Sequence, residues 1–269
     1  NVHSMLKKLA PAAVKNAQRE GQDIQQIISR EETHELASWD WDFYTEKVRI
    51  EKYSLDTSAM KPYFELESVL RNGVFFAAQK LYGLTFTERP DLVAYHPEAR
   101  VFEVFNEDVS AVGLYIGDFY TRDSKRGGAW MNSLVRQSRL LDQKPVVVNN
   151  MNISKPPQGE VTLLSYDETT TLFHEFGHAI HGLLSDVTYP RVSGTAVQRD
   201  FVEFPSQVNE MWILWPEVLD NYAIHHQTGE RLPQEWVDKL HESSTFNEGH
   251  ATTSYLAAAI LDLAWHSLE

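Results

Sequence analysis

The stretch Thr170–Leu184 reads TTLFHEFGHAIHGLL, with His174-Glu175-Phe176-Gly177-His178, an H-E-x-x-H sequence, at its centre. Whether these residues carry chemistry depends on local structure. On a helix, residues four apart lie one above the other. His174 and His178 then aim two imidazoles at one point, which is metal-ligand geometry. Glu175, one step round, stays off the metal and can take a proton from a water held there. The flanks support a helix. Ser165 or Asp167 can cap its start, and Asp167 and Glu168 suit its first turn. Leu172, Phe176, Ala179, Ile180 and Leu183 recur at three- and four-residue spacing and form an apolar face to bury. Gly177 costs about 1 kcal/mol relative to alanine inside a helix, and such a glycine signals close packing, here against another backbone.

A catalytic zinc takes three protein ligands and keeps one position open. The chain has no cysteine, so thiolate ligands and disulfides are excluded, and histidines and carboxylates must do any metal work. His181 is seven residues after His174 and near its face, but a turn further along, which suits ligation poorly on a straight helix. The metzincin spacing of a third histidine is not matched. The other candidates are acids on a following helix: Asp200, Glu203 and Glu210. Spacing alone does not choose among them. The bland alternative is a chance match with two core histidines. A glutamate between them on a capped amphipathic helix weighs against it.

Further motifs surround the helix. T-L-F-H-E-F-G-H-A-I-H-G is followed by Ser193-Gly194-Thr195 and by R-D-F-V-E-F-P-S-Q at Arg199–Gln207; G-D-F-Y at Gly117–Tyr120 and K-R-G-G-A-W at Lys125–Trp130 precede it. Together they resemble the thimet oligopeptidase family of zinc peptidases, above all its bacterial peptidyl-dipeptidase branch, over nearly the whole chain. The resemblance implies a mainly α, zincin-like catalytic domain of many helices, with a small β-sheet beside the active-site helix. It implies one Zn²⁺ held by His174, His178 and Glu203, with Glu175 as general base. The implied substrates are short peptides losing C-terminal dipeptides; internal cleavage is the alternative within the family, and a zinc-binding but inert fragment the alternative outside it. The implied protein is a cytoplasmic monomer, with the periplasm as the alternative compartment. The family's Gly- and Tyr-rich segment that supplies transition-state donors has no G-x-x-Y-A-x-x-Y match here. Asp200 and Glu210 are candidate partners for the far nitrogens of the ligating histidines.

The 269 residues suffice for one large domain, and the reading is a single piece, 1–269, of a catalytic domain cut at both ends. No run of 18 apolar residues predicts a membrane span. A net charge of −14 argues against a nucleic-acid partner, since phosphate binding needs a basic surface.

Along the chain, 5–29 reads as a helix, Met5 to Ser29, with its apolar residues broken by Gly21, and a second helix runs from Ser29 or Thr33 to about Tyr53. Its aromatic cluster Trp39, Trp41, Phe43 and Tyr44 is expected in the core. A third helix is expected to start at Pro62 and end at Gly83, burying Phe64, Val69, Leu70, Phe75, Ala78 and Leu81. Arg100–Phe105 and Ala111–Phe119 read as a β-hairpin and Val146–Asn150 as a strand; Ala129–Leu141 reads as a helix. One strand is expected to hold substrate backbone at a sheet edge. Thr188–Ala196 reads as a loop. After Glu203, Val208, Met211, Leu214, Trp215 and Leu219 have helical spacing; His225 and His226 are expected to face solvent. Gln234–Leu240 and His250–Leu268 read as helices.

Overall fold

The computed structural model describes residues 2–31, 34–53 and 57–268. Their contacts gather into two compact units. One draws on Asn1–Asp56 and Pro233–Glu269, and the other is the continuous segment Thr57–Leu232. Helices dominate, with one small sheet.

In the first unit, helix α1 (Val2–Glu31) runs through Gly21 without a break. The glycine admits the Trp41 indole, whose ring carbons stand 3.4 Å from where a β-carbon would be. Helix α2 begins only at Trp41 and ends at Tyr53. Of the two expected starts, Ser29 is absorbed into α1, and Thr33 lies outside the described residues. Ile24, Ile27 and Ile28 of α1 form a core with Tyr44 and Val48 of α2. Tyr44 is therefore interior as expected, but Trp39 and Phe43 are exposed.

The second unit opens with a 3₁₀ turn, Thr57–Tyr63, that contains Pro62. The expected helix start at Pro62 is displaced because residues 64–66 are drawn into an extended bridge: Leu66 N donates to the Thr162 carbonyl and Leu164 N to that of Phe64. Helix α3 (Leu66–Ser68) follows, capped by Glu65, whose carboxylate accepts from Ser68 N at 2.9 Å. A π-helical stretch, Val69–Phe75, then leads into α4 (Phe76–Tyr82). The wider π turn shifts the helical phase, which leaves Leu81 exposed rather than buried. Gly83 ends the helix in the left-handed region at φ +70°.

Five strands follow: β1 (Thr85–Glu88), β2 (Arg100–Phe105), β3 (Ala111–Tyr120), β4 (Trp130–Val135) and β5 (Val146–Ile153). They lie in the order β1-β2-β3-β5-β4, with β3 and β5 parallel and the other pairs antiparallel. The expected hairpin and the strand at Val146 are present. The helix expected over Ala129–Leu141 is instead the edge strand β4 and a turn. Six residues of mixed polarity fit either period, and pairing with β5, remote from local propensity, selects the strand.

Helix α5 (Tyr166–Leu183) packs on this sheet and carries the H-E-x-x-H residues. Phe176 on its buried face meets Phe75, Phe86 and Tyr115, with ring centroids 5.3–5.7 Å away. After the loop holding Pro190–Val192 come α6 (Phe204–Glu210) and α7 (Pro216–Tyr222). The helical run expected after Glu203 is thus broken before Pro216, and Met211 and Trp215 are exposed. His225 and His226 are half-buried rather than solvent-facing, with His226 N donating to the Pro62 carbonyl at 2.9 Å.

Returning to the first unit, α8 (Gln234–Ser243) and α9 (Glu248–His266) match the two helices expected there. Glu20 of α1 caps α9, its carboxylate accepting from the backbone N–H of Gly249 at 2.9 Å and His250 at 2.8 Å. Leu6 and Ala13 pack against Leu256.

Candidate metal centre

The start of α5 is fixed by a reciprocal cap. Ser165 Oγ accepts from Glu168 N at 3.0 Å, and Glu168 Oε2 accepts from Ser165 N at 2.7 Å. Leu172, Phe176, Ala179, Ile180 and Leu183 are all buried, as their spacing requires. Two side chains from other elements fasten the helix where the histidines sit. Asn149 of β5 donates Nδ2 to the Glu175 carbonyl at 2.7 Å, and Asn209 of α6 donates Nδ2 to the Phe173 carbonyl at 2.6 Å.

Gly177 explains how α6 comes so near. A β-carbon there would lie 2.7 Å from Ser206 Cα and 2.8 Å from the Pro205 carbonyl oxygen. The expected close approach to another backbone is therefore present, and the partner is the first turn of α6.

That approach brings a carboxylate to the histidines. Glu203 immediately precedes α6. Its Oε2 stands 3.2 Å from His174 Nε2 and 3.1 Å from His178 Nε2. The two rings are nearly perpendicular, with centroids 5.0 Å apart. Among the described residues these three form the group whose donor atoms can share one ion. Zinc bonds of about 2.0–2.1 Å at a tetrahedral angle put neighbouring donors about 3.3 Å apart. Both carboxylate–imidazole spacings match, so the donor set suits a tetrahedral ion in its chemistry and in these two distances. The Glu203 side chain is 53% exposed and that of His178 10%, so the group has a buried wall and an open side.

The electrostatics agree. Burial lowers the His178 pKa, against the pull of Glu203. The net direction favours the neutral imidazole, the form in which a ring nitrogen ligates. Burial tends to raise the Glu203 pKa, but the Ser206 hydroxyl and the two histidines outweigh it and hold the carboxyl below its usual value. Glu175 differs: it is buried, its Oε2 has no hydrogen-bond partner in the protein, and burial, with a smaller push from Glu203, raises its pKa to about 7. A carboxyl poised near neutrality is suited to accepting and returning a proton.

The remaining candidates fall outside the group. Glu210 takes the far side of His174, its Oε1 lying 2.6 Å from Nδ1. That hydrogen bond leaves Nε2 to face Glu203 and identifies Glu210, not Asp200, as the ring's partner. Asp200 is exposed. His181 turns toward Phe201, with ring centroids 6.2 Å apart and its Nδ1 buried. Asn149, Ser206 and Asn209 were not identifiable from sequence as parts of this centre. The only hint was polarity where burial was expected, at the end of the VVVNN strand and on the inner side of α6.

An H-E-x-x-H helix packed on a sheet, with a carboxylate from the residue just before the following helix against both imidazoles, is the arrangement of a metallopeptidase type of centre. The model of peptidase family M3 matches residues 1–269, and the chain belongs to that family. The dipeptidyl carboxypeptidases of Salmonella typhimurium and Escherichia coli are each 46% identical over 267 residues, covering 99% of this chain and 39% of theirs. Oligopeptidase A of Salmonella typhimurium is 38% identical over 237 residues, 87% of this chain and 35% of its own. The chain thus spans about two-fifths of the length of the curated relatives it matches. No helix among the described residues is long and apolar enough to cross a membrane.

Proposed function

We propose that the chain contributes the zinc centre of a peptidase that hydrolyses short peptides and releases C-terminal dipeptides. The observation that carries this reading is the convergence of His174 Nε2, His178 Nε2 and Glu203 Oε2 on one point, open on one side. These residues are assigned as ligands of one Zn²⁺ per chain. Bound zinc would polarise the scissile carbonyl and acidify the attacking water. Glu175 takes the proton from that water and returns it to the departing amine, a transfer that contributes about 10²–10⁴ in rate. Glu210 holds the His174 ring. The names of the two dipeptidyl carboxypeptidases support dipeptide release, and the family match over residues 1–269 supports a single catalytic piece.

Edge strand β4 is proposed as the place where substrate backbone adds. Its Met131 pairs with Asn149, the residue bonded to the Glu175 carbonyl, and the Met131 side chain reaches Gly182 of α5. The free edge therefore runs one strand outside the residue that fastens the metal helix.

The test is Glu175→Gln. The variant should keep its zinc while turnover falls by about 10²–10⁴; hydrolysis at the wild-type rate would remove Glu175 from the mechanism. Internal cleavage is the second reading, favoured by the likeness to oligopeptidase A. Peptides with free and blocked C-termini separate the two: dipeptide release requires the free carboxylate. A zinc-loaded wild-type chain without chelator-sensitive hydrolysis would favour the inert reading.

A further inference from the structure

We infer that Ser206 is a positioning residue for the metal, its hydroxyl fixing the Glu203 carboxylate where the two imidazoles meet. The inference rests on the zinc reading above.

Glu203 is the weak point of the donor set as a lone side chain. It precedes α6, its side chain is half exposed, and free glutamate rotamers would carry its carboxylate away from the histidines. Ser206 removes that freedom. It is fully buried, and its Oγ lies 2.9 Å from Glu203 Oε2 and 2.8 Å from the Glu203 backbone carbonyl. One hydroxyl thus bridges the main chain and carboxylate of the same residue. Oε2 is also the oxygen that faces both imidazole nitrogens.

Ser206 is itself located by the histidine helix. Its Cα occupies the space beside Gly177, 2.7 Å from where a β-carbon would be. Asn209, one turn further along α6, is tied to the Phe173 carbonyl at 2.6 Å. The two imidazoles and the carboxylate therefore take their positions from one stretch of α5. His174 and His178 do so by direct attachment, Glu203 through Gly177 and Ser206. Partners behind metal ligands typically change affinity about 10–100-fold.

The experiment is zinc affinity of the purified chain, measured by competition with a chromophoric chelator, for a double-mutant cycle. Ser206→Ala should weaken zinc binding about 10–100-fold. In a Glu203→Ala background, the same change should have no further effect, because the hydroxyl then has no carboxylate to hold. An equal loss in both backgrounds overturns the inference, since Ser206 would then act through the fold. So does an unchanged Kd for Ser206→Ala alone. Circular dichroism checks folding, and Ser206→Gly, which also lacks the hydroxyl, replaces the alanine variant if that one is unfolded. His178→Ala separates this inference from its premise. Wild-type zinc affinity in that variant refutes the metal centre itself, whereas loss of zinc there with an unchanged Ser206→Ala Kd refutes only the role of Ser206.

Discussion

Replacing Gly177 with alanine sets two effects against each other. Helix propensity favours alanine by about 1 kcal/mol, so an isolated α5 would gain stability. In the folded chain the new methyl would meet Ser206 Cα at 2.7 Å, the Pro205 carbonyl oxygen at 2.8 Å and Asn209 Cβ at 2.9 Å. Ordinary contact begins at 3.4 Å, and two of the three opposing atoms are backbone, which cannot rotate away. Helix α6 must therefore retreat by about 0.7 Å, and overpacking of this kind costs about 1–3 kcal/mol. The net change expected in a urea melt is a loss of about 0–2 kcal/mol. The larger effect falls on the metal. Glu203 travels with α6, and a displacement of about 0.7 Å exceeds the roughly 0.2 Å tolerance of zinc–ligand distances. Zinc affinity should drop at least about tenfold, comparable to losing an outer partner of a ligand. Competition with a chelator reads the affinity, and the melt reads the stability. A variant that is more stable by about 1 kcal/mol and binds zinc as the wild type does would show that α6 is not held against Gly177.

Two further perturbations probe other parts of the structure. Asp118 is buried and accepts from Arg122, Lys125 and Tyr95. Asp118→Ala would leave the Lys125 ammonium, only 2% exposed, without its carboxylate, and should cost about 3–5 kcal/mol in a urea melt; a loss below about 1 kcal/mol would refute the reading. Burial opposes the charge on Asp118, but its hydrogen bonds outweigh burial and hold the pKa well below the ordinary value of 3.8. The folded value is the lower one, so this contribution is intact above about pH 5 and fades as pH falls through 3.8 toward the depressed folded value. Acid titration of the wild type against Asp118→Ala measures the difference. Glu210→Gln should weaken zinc binding about 10–100-fold by loosening the His174 ring; an unchanged Kd would remove Glu210 from the centre.

The H-E-x-x-H helix was legible because its signals are local. Cap, apolar face and the i, i+4 histidines all lie within nineteen residues, Ser165–Leu183. The approach of Glu203 to the two histidines was not legible by spacing, since the intervening loop, not a helical period, brings it there. Only the family resemblance singled it out from Asp200 and Glu210. The same limit hid Asn149 and Asn209, whose partners are 26 and 36 residues away. β4 was misread for a related reason: six residues carry too little periodicity, and β5 supplies what they lack. The bridge between Glu65 and Leu163 likewise overrode Pro62 from almost a hundred residues away.

The cap that Glu20 places on Gly249 spans 229 positions. A ribosome adding about 5–20 residues per second needs roughly 10–45 s to travel that distance. By the end of that interval Thr57–Leu232 has emerged as one uninterrupted segment, whereas Leu6 and Ala13 still wait for Leu256. The nascent chain is thus expected to acquire its histidine-bearing unit first and to hold the apolar face of α1 uncovered until α9 appears.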